Sequence, residues 1–310
     1  MKVVEVPCQQ ALSPSLLAGY DWALNPYRGC AFDCLYCYAP DVVRIDREQW
    51  AETIYVKRSA PAALAKEVQR KARGVVGLST VTDPYQPAER KLEVTRRCLE
   101  VLCKAKWPVS VLTKSPLVTR DLDLLAKMPG SEVGFSIATG DDRERERWER
   151  RCPPVEDRFE ALAQVAAAGV RAYVFAGPLF PESSPQAMQK LAALAKGACA
   201  GEVMADTLHS RPGGLDRVLR ATSPVAPGQW GAASEALLKE LAAACEENGV
   251  PFTLAANWKP RGSGGGQQHL VSPRAAIEKA AVVQKAREVA GLGAPLADAL
   301  ALGRRLEQFD

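Results

Sequence analysis

Histidine is nearly missing from this 310-residue sequence: His209 and His269 are the only two, far apart and without paired spacing. That removes the usual zinc knuckle, in which one Cys pair is completed by a second Cys or His pair. Long apolar runs are missing as well, and nothing approaches the roughly eighteen residues of a membrane span. Charge of one sign does not dominate either. The net charge of +4 and pI of about 8.5 fall short of a nucleic-acid-binding footprint. Residues 1–10 contain Glu5 and Pro7 where a secretory signal would have an apolar core. Nine cysteines, an odd number in a long chain, do not suit a disulfide framework. The expectation is a soluble, cytoplasmic protein with reduced thiols and no membrane partner. The hydrophobic fraction of 47% is enough for a large core.

The most distinctive stretch is 25–40, NPYRGCAFDCLYCYAP. Cys30, Cys34 and Cys37 lie there at C-x3-C-x2-C spacing, just after Pro26 and Gly29, which turn the backbone. Three thiolates on one short loop can hold three irons of a four-iron cluster. The fourth iron then lacks a protein ligand and is open to a small molecule, as in other catalytic metal centres.

From Pro61 onward the pattern repeats. Short, charge-poor runs at 75–80 (VVGLST), 108–113 (PVSVLT), 132–138 (EVGFSIA), 171–176 (RAYVFA), 202–205 and 251–256 read as buried strands. Helical stretches alternate with them, at about 61–73, 89–105, 122–127, 156–168, 185–196 and 234–248. Alternation of this kind makes β/α units and a parallel sheet, and about six units imply an incomplete barrel. Residues 1–258 form this unit. Residues 259–310 begin with the flexible composition RGSGGGQQ and continue as two helices in a C-terminal extension.

Parallel barrels bind ligands at the carboxyl ends of their strands. Those positions hold 79–87 (STVTDPYQP), Thr113-Lys114-Ser115, Ser136 and 138–142, and 176–181 (AGPLFP). Singly each reads as a turn or a cap; together they suit a ligand with a carboxylate, an amine and a ribose. The run 141–151, DDRERERWERR, reads as a solvated helix face. Cys8, Cys98, Cys103, Cys199 and Cys245 read as small core residues.

The cysteine motif resembles that of radical S-adenosylmethionine (SAM) enzymes. Over 25–181, the order NPYRGC, C-x-Y-C-Y, TDPYQPAE, TKS, FSIAT and a Pro-rich fifth strand end is similar to their spore photoproduct lyase-like branch. The resemblance implies a partial (β/α)6 TIM-type barrel, a [4Fe-4S] cluster on Cys30, Cys34 and Cys37, and SAM chelated to the open iron. It implies an electron donor of flavodoxin or ferredoxin type. By position, Tyr36 and Tyr38 match the tyrosines beside the third cluster cysteine. Thr82, Lys114 and Ser136 match residues that hold the SAM aminocarboxylate, with Tyr38 also near the cofactor, and Gly177 falls where backbone meets the adenine. The sequence departs from the branch at Thr80, where the lyase keeps a hydrogen-donating cysteine. Cys152, in ERRCPP, is the candidate replacement donor. Three functions stay open: a radical SAM enzyme of unidentified substrate, lyase-type DNA repair, and a non-catalytic iron–sulfur protein. The mild charge does not favour a nucleic-acid partner.

Overall fold

The computed structural model describes residues 1–15, 17, 19–207 and 229–255. The glycine-rich loop and the helices expected over 259–310 lie outside them. Along the chain run β1 (Lys2–Glu5), β2 (Leu12–Pro14), β3 (Trp22–Leu24), β4 (Tyr27–Arg28), α1 (Ala39–Val43), α2 (Arg47–Trp50), β5 (Thr53–Val56), α3 (Ala60–Glu67) and β6 (Val76–Leu78). Then come α4 (Glu89–Leu92), α5 (Val94–Ala105), β7 (Val109–Thr113), a 3-10 turn (Pro116–Asp121), α6 (Leu122–Leu125), β8 (Glu132–Ser136), α7 (Asp142–Trp148) and α8 (Val155–Ala167). The last are β9 (Arg171–Leu179), α9 (Pro185–Gly197), β10 (Val203–Thr207), α10 (Trp230–Glu247) and β11 (Phe252–Leu254).

The main sheet has the order β11-β10-β9-β8-β7-β6-β3-β2, parallel from β3 to β11, with β2 antiparallel at one edge. Strand order follows chain order without a reversal. That is the progression of a barrel; a doubly wound sheet changes direction at a switch point. The fold is therefore the expected parallel, partial-barrel α/β architecture. β1 and β5 pair in a separate small sheet with β4, next to the cysteine loop. The first parallel strand is β3, read from the sequence only as an approach segment; three residues give too short a pattern to register.

Period two along the strands separates two faces. Val109, Val111, Val133, Phe135 and Val174 pack in the core cluster that contains the helix residues Leu99, Leu102, Leu162 and Val165. The other face is built in layers by register. Ser110, Glu132 and Arg171 are aligned at the amino ends, with Ser110 Oγ donating to Glu132 at 2.9 Å and Arg171 paired to both Glu132 and Glu202. The next layer aligns Leu112, Gly134 and Tyr173; a Cβ on Gly134 would stand 2.3 Å from the Tyr173 ring. One step further, past the end of β7, come Lys114, Ser136 and Phe175. A polar plug and an aromatic floor thus close one end and leave Lys114 and Ser136 at the other.

The expected 89–105 helix is broken at Glu93, which has φ 50°. The break lets the buried Glu89 carboxylate reach the start of α5, accepting from the backbone N–H groups of Thr95 (3.0 Å) and Arg96 (3.2 Å). An acidic group on otherwise unpaired amides at a helix start is favourable, and Arg120 balances its charge at 2.7 Å. Of the cysteines read as core residues, Cys98 and Cys245 are buried, Cys8 and Cys103 are half-buried, and Cys199 is exposed at a helix end.

Candidate active site

The cysteine loop lies over the carboxyl ends of the strands because the segment after β6 holds it there. Gly29 sits at φ +90°, and a Cβ would meet the Thr53 carbonyl oxygen at 2.6 Å, so only glycine lets the loop pass β5 this closely. The Gly29 carbonyl accepts from Thr82 Oγ1 at 2.7 Å and from Gln86 Nε2 at 3.1 Å, while Ala31 N–H donates to Gln86 Oε1 at 3.1 Å. Gln86 is fully buried and uses both ends of its amide on this loop. Thr82, matched to a SAM-holding position, also acts as a loop clamp.

Asp83 aims the next strand. Its carboxylate accepts from Tyr85 N–H (2.8 Å), Thr113 Oγ1 (2.7 Å) and Lys114 N–H (2.8 Å), fixing the backbone where β7 ends. Burial raises its pKa in spite of these donors. From that fixed point Lys114 Nζ reaches Ser136 Oγ at 2.8 Å and Glu149 Oε1 at 3.7 Å, and lies 5.6 Å from the centre of the Tyr36 ring. Burial opposes the ammonium, but Glu149 and the sulfurs of Cys34 and Cys152 keep the Lys114 pKa above that of an ordinary lysine.

Glu149 joins these groups. It accepts from Arg158 Nη1 at 2.6 Å and from the Tyr36 hydroxyl, and both it and Arg158 are buried. Burial alone would raise its pKa; Arg158 and Lys114 outweigh that and hold the carboxyl below its usual range. Arg158 also donates to the Ser136 carbonyl at 2.9 Å, so it supports the strand end that carries the Ser136 hydroxyl. Residues 141–151 are accordingly not a simple solvated face: Arg145, Trp148 and Glu149 are buried. Trp148 stacks on Phe180, with ring centres 4.5 Å apart. The lone tryptophan in a charged run, five residues before a pair of prolines, is the available signal.

The structure brings Tyr36, Lys114, Ser136, Cys34 and Cys152 into one neighbourhood. The sulfurs of Cys34 and Cys152 are 3.7 Å apart. Tyr38 lies beside Thr80, its hydroxyl donating to the Thr80 carbonyl at 3.5 Å. Gly177 is on β9 two residues past Phe175, on the same face. A Cβ there would stand 2.6 Å from the Phe175 ring and 3.2 Å from Asp206 Cβ, so glycine is needed for this packing whatever else it serves.

Among the described residues no three His, Cys, Asp or Glu side chains converge on a single ion. A four-iron cluster asks for something else: three sulfurs, each on its own iron. Cys30, Cys34 and Cys37 form no disulfide, and two of them are buried. Burial pushes the Cys30 thiol well up and that of Cys37 up to about 11. The hydrogen bond with Cys152 lowers Cys34, helped by Lys114 and Arg158. A cationic centre deprotonates a coordinating thiol outright, whatever burial does to it beforehand. The donor set fits an iron–sulfur cluster.

The Radical SAM superfamily model matches residues 24–195, more than half of the chain. An uncharacterised protein of Methanocaldococcus jannaschii is 29% identical over 59% of this chain and 69% of its own length. An uncharacterised protein of Mycobacterium bovis is 33% identical over 57% of this chain and 56% of its own length, so the match spans little more than half of that relative. A protein of Pseudomonas phage M6 named a radical SAM Nalpha-GlyT isomerase is 24% identical over 51% of this chain and 33% of its own. Among solved structures, spore photoproduct lyase complexed with dinucleoside spore photoproduct superposes with a TM-score of 0.63 at 14% identity, covering 82% of this chain and 81% of the lyase. At that identity the likeness is one of fold.

Proposed function

We propose, on the premise that the chain belongs to the Radical SAM superfamily, that it is an enzyme that cleaves SAM reductively and abstracts hydrogen from a substrate. Cys30, Cys34 and Cys37 would hold a [4Fe-4S] cluster, and Lys114, Ser136, Thr82, Tyr38 and the backbone at Gly177 would line the SAM site. Bound there and reduced by an external electron donor, the cluster and SAM supply a 5′-deoxyadenosyl radical. The chain's own residues bind, orient and seclude. The observation that supports this reading most is Lys114: a half-buried lysine whose ammonium lies 2.8 Å from the Ser136 hydroxyl, at the strand ends beneath the cysteine loop. Its neighbour Glu149 already has Arg158 as a closer partner, which leaves Lys114 charge to offer a carboxylate.

The test is anaerobic incubation of reconstituted protein with reductant and SAM, followed by quantification of 5′-deoxyadenosine. Turnover is the expected result. A cluster that cycles between redox states without producing 5′-deoxyadenosine would replace this reading with a non-catalytic electron-transfer protein. Repair of a thymine photoproduct is the less favoured chemistry. Thr80 stands where the lyase-like branch has a thiol, and a hydroxyl O–H is too strong to return hydrogen to a carbon radical. Its Oγ1 instead accepts from Asn25 Nδ2 at 3.5 Å.

Lys114→Ala should keep its cluster and bind SAM at least about tenfold more weakly, which corresponds to roughly 1.4 kcal/mol. A charge-assisted hydrogen bond to a bound ion contributes about 1.5–3 kcal/mol, so this is the lower end of the range. Equilibrium dialysis of cluster-replete protein measures it. Unchanged affinity would remove Lys114 from the SAM site.

A further inference from the structure

We propose that Cys152 is a positioning residue for the cluster: its thiol donates a hydrogen bond to the sulfur of Cys34 and raises the reduction potential of the bound cluster. The inference rests on the cluster assignment made above. The two sulfurs lie 3.7 Å apart, within hydrogen-bonding range for sulfur, and Cys152 is buried together with Cys30, Phe32 and Cys34. Between two thiols either atom can donate. Once Cys34 is a thiolate on iron it has no proton to give, and only Cys152 can be the donor. The competing acceptor, the Phe32 carbonyl, is at 3.9 Å.

Cys152 is held from several directions. Its N–H donates to the Glu149 carbonyl at 3.0 Å, and its carbonyl accepts from the buried Arg145 Nη1 at 3.1 Å. Arg145 is itself clamped by Asp142. Two prolines follow, and the first presents its carbonyl to Arg158 Nη2 at 2.8 Å and Nε at 3.0 Å. Two buried guanidinium groups therefore fix the loop that sets this thiol against a cluster ligand. Such support is more than packing a small apolar side chain requires.

The electrostatic consequence has a definite sign. Reduction adds a negative charge that spreads onto the ligand sulfurs, so a donor aimed at one of them binds the reduced state more strongly. The potential moves up, and a weak external donor then reduces the cluster more readily. Cys152 thus acts through Cys34 and needs no contact with substrate, unlike the hydrogen-donor role suggested by sequence alone.

The experiment compares reconstituted wild type, Cys152→Ala and Cys152→Ser, each assayed for iron and sulfide per chain and then titrated by EPR-monitored redox potentiometry. Full loading is expected in all three, with a more negative midpoint for Cys152→Ala and a return toward the wild-type value for Cys152→Ser. A loaded Cys152→Ala cluster at the wild-type potential would overturn the proposal. If Cys152→Ala does not load, proton ENDOR on the reduced wild type decides. A coupled proton that disappears in D2O is expected, and absence of any exchangeable coupled proton overturns the idea. Failure of the wild type to take up four irons is a different outcome, since it refutes the underlying cluster assignment.

Discussion

Replacing Cys30, Cys34 and Cys37 together by alanine is expected to leave a folded protein that takes up essentially no iron, against about four irons per chain in the wild type. Folding should survive because, apart from the weak Cys34–Cys152 sulfur contact, the loop is held by groups other than its sulfurs. Gly29 is bound by Thr82 and Gln86, Ala31 by Gln86, and Cys30 N–H by the Trp50 carbonyl at 3.3 Å. None of those contacts uses a cysteine side chain. Iron uptake should fail because the remaining thiols are poor substitutes. Cys98 and Cys245 are enclosed in the hydrophobic core, and burial pushes the Cys245 thiol up to about 12. Cys152 adjoins the site but is one sulfur where three are needed. Anaerobic reconstitution with iron and sulfide, read by metal analysis and visible absorption, measures the result. A triple variant that still takes up four irons with wild-type spectra would show that the ligands lie elsewhere.

The parts of this molecule legible in the sequence are those fixed by local pattern. The runs at 108–113, 132–138 and 171–176 are apolar and bounded by turns, and each forms a strand of the parallel sheet. Spacing alone marked the cysteine loop. Lys114 and Ser136 were visible as strand-end residues, and the structure brings them within 2.8 Å. Glu149 and Arg158 were not legible, because their meaning depends on partners 35 and 22 residues away in sequence, Lys114 and Ser136. Inside DDRERERWERR a buried glutamate looks like its solvated neighbours. Only tertiary packing decides which charges are removed from water. The role of Gln86 was hidden for the same reason, since its two partners in the cysteine loop, Gly29 and Ala31, lie more than fifty residues earlier. The broken helix at Glu93 shows the opposite failure. The helical pattern continues through it, and one buried carboxylate turning back to the N–H groups of α5 outweighs that continuity.

Arg158→Met is expected to destabilise the fold by about 3–5 kcal/mol, the usual consequence of removing one member of a buried ion pair. The variant leaves Glu149 nearly inaccessible to water, with Lys114 at 3.7 Å as its remaining cation in place of a guanidinium hydrogen-bonded at 2.6 Å. It also removes the donors from the carbonyls of Ser136 and Pro153. Neutralising the carboxylate should recover much of the loss: in Arg158→Met/Glu149→Gln no carboxylate is stranded, the amide oxygen can still accept from Tyr36, and the half-buried Lys114 gives up only a partner at 3.7 Å while keeping Ser136 at 2.8 Å. Acid should act in the same direction as that second substitution. In the wild type the Glu149 carboxyl titrates below its usual range, so its stabilising contribution is complete above that range and is lost as pH falls through the folded-state value. Without Arg158, burial dominates and raises the folded-state pKa above the unfolded one, so protonation on acidification relieves the variant. The stability gap between wild type and Arg158→Met should therefore narrow as pH falls through the carboxylate range. Urea unfolding at several pH values measures both effects. A gap under about 1 kcal/mol at neutral pH, in the range of an exposed pair, would show that this pair is solvated. A double variant no more stable than Arg158→Met would show instead that the lost carbonyl contacts, not the stranded carboxylate, account for the damage.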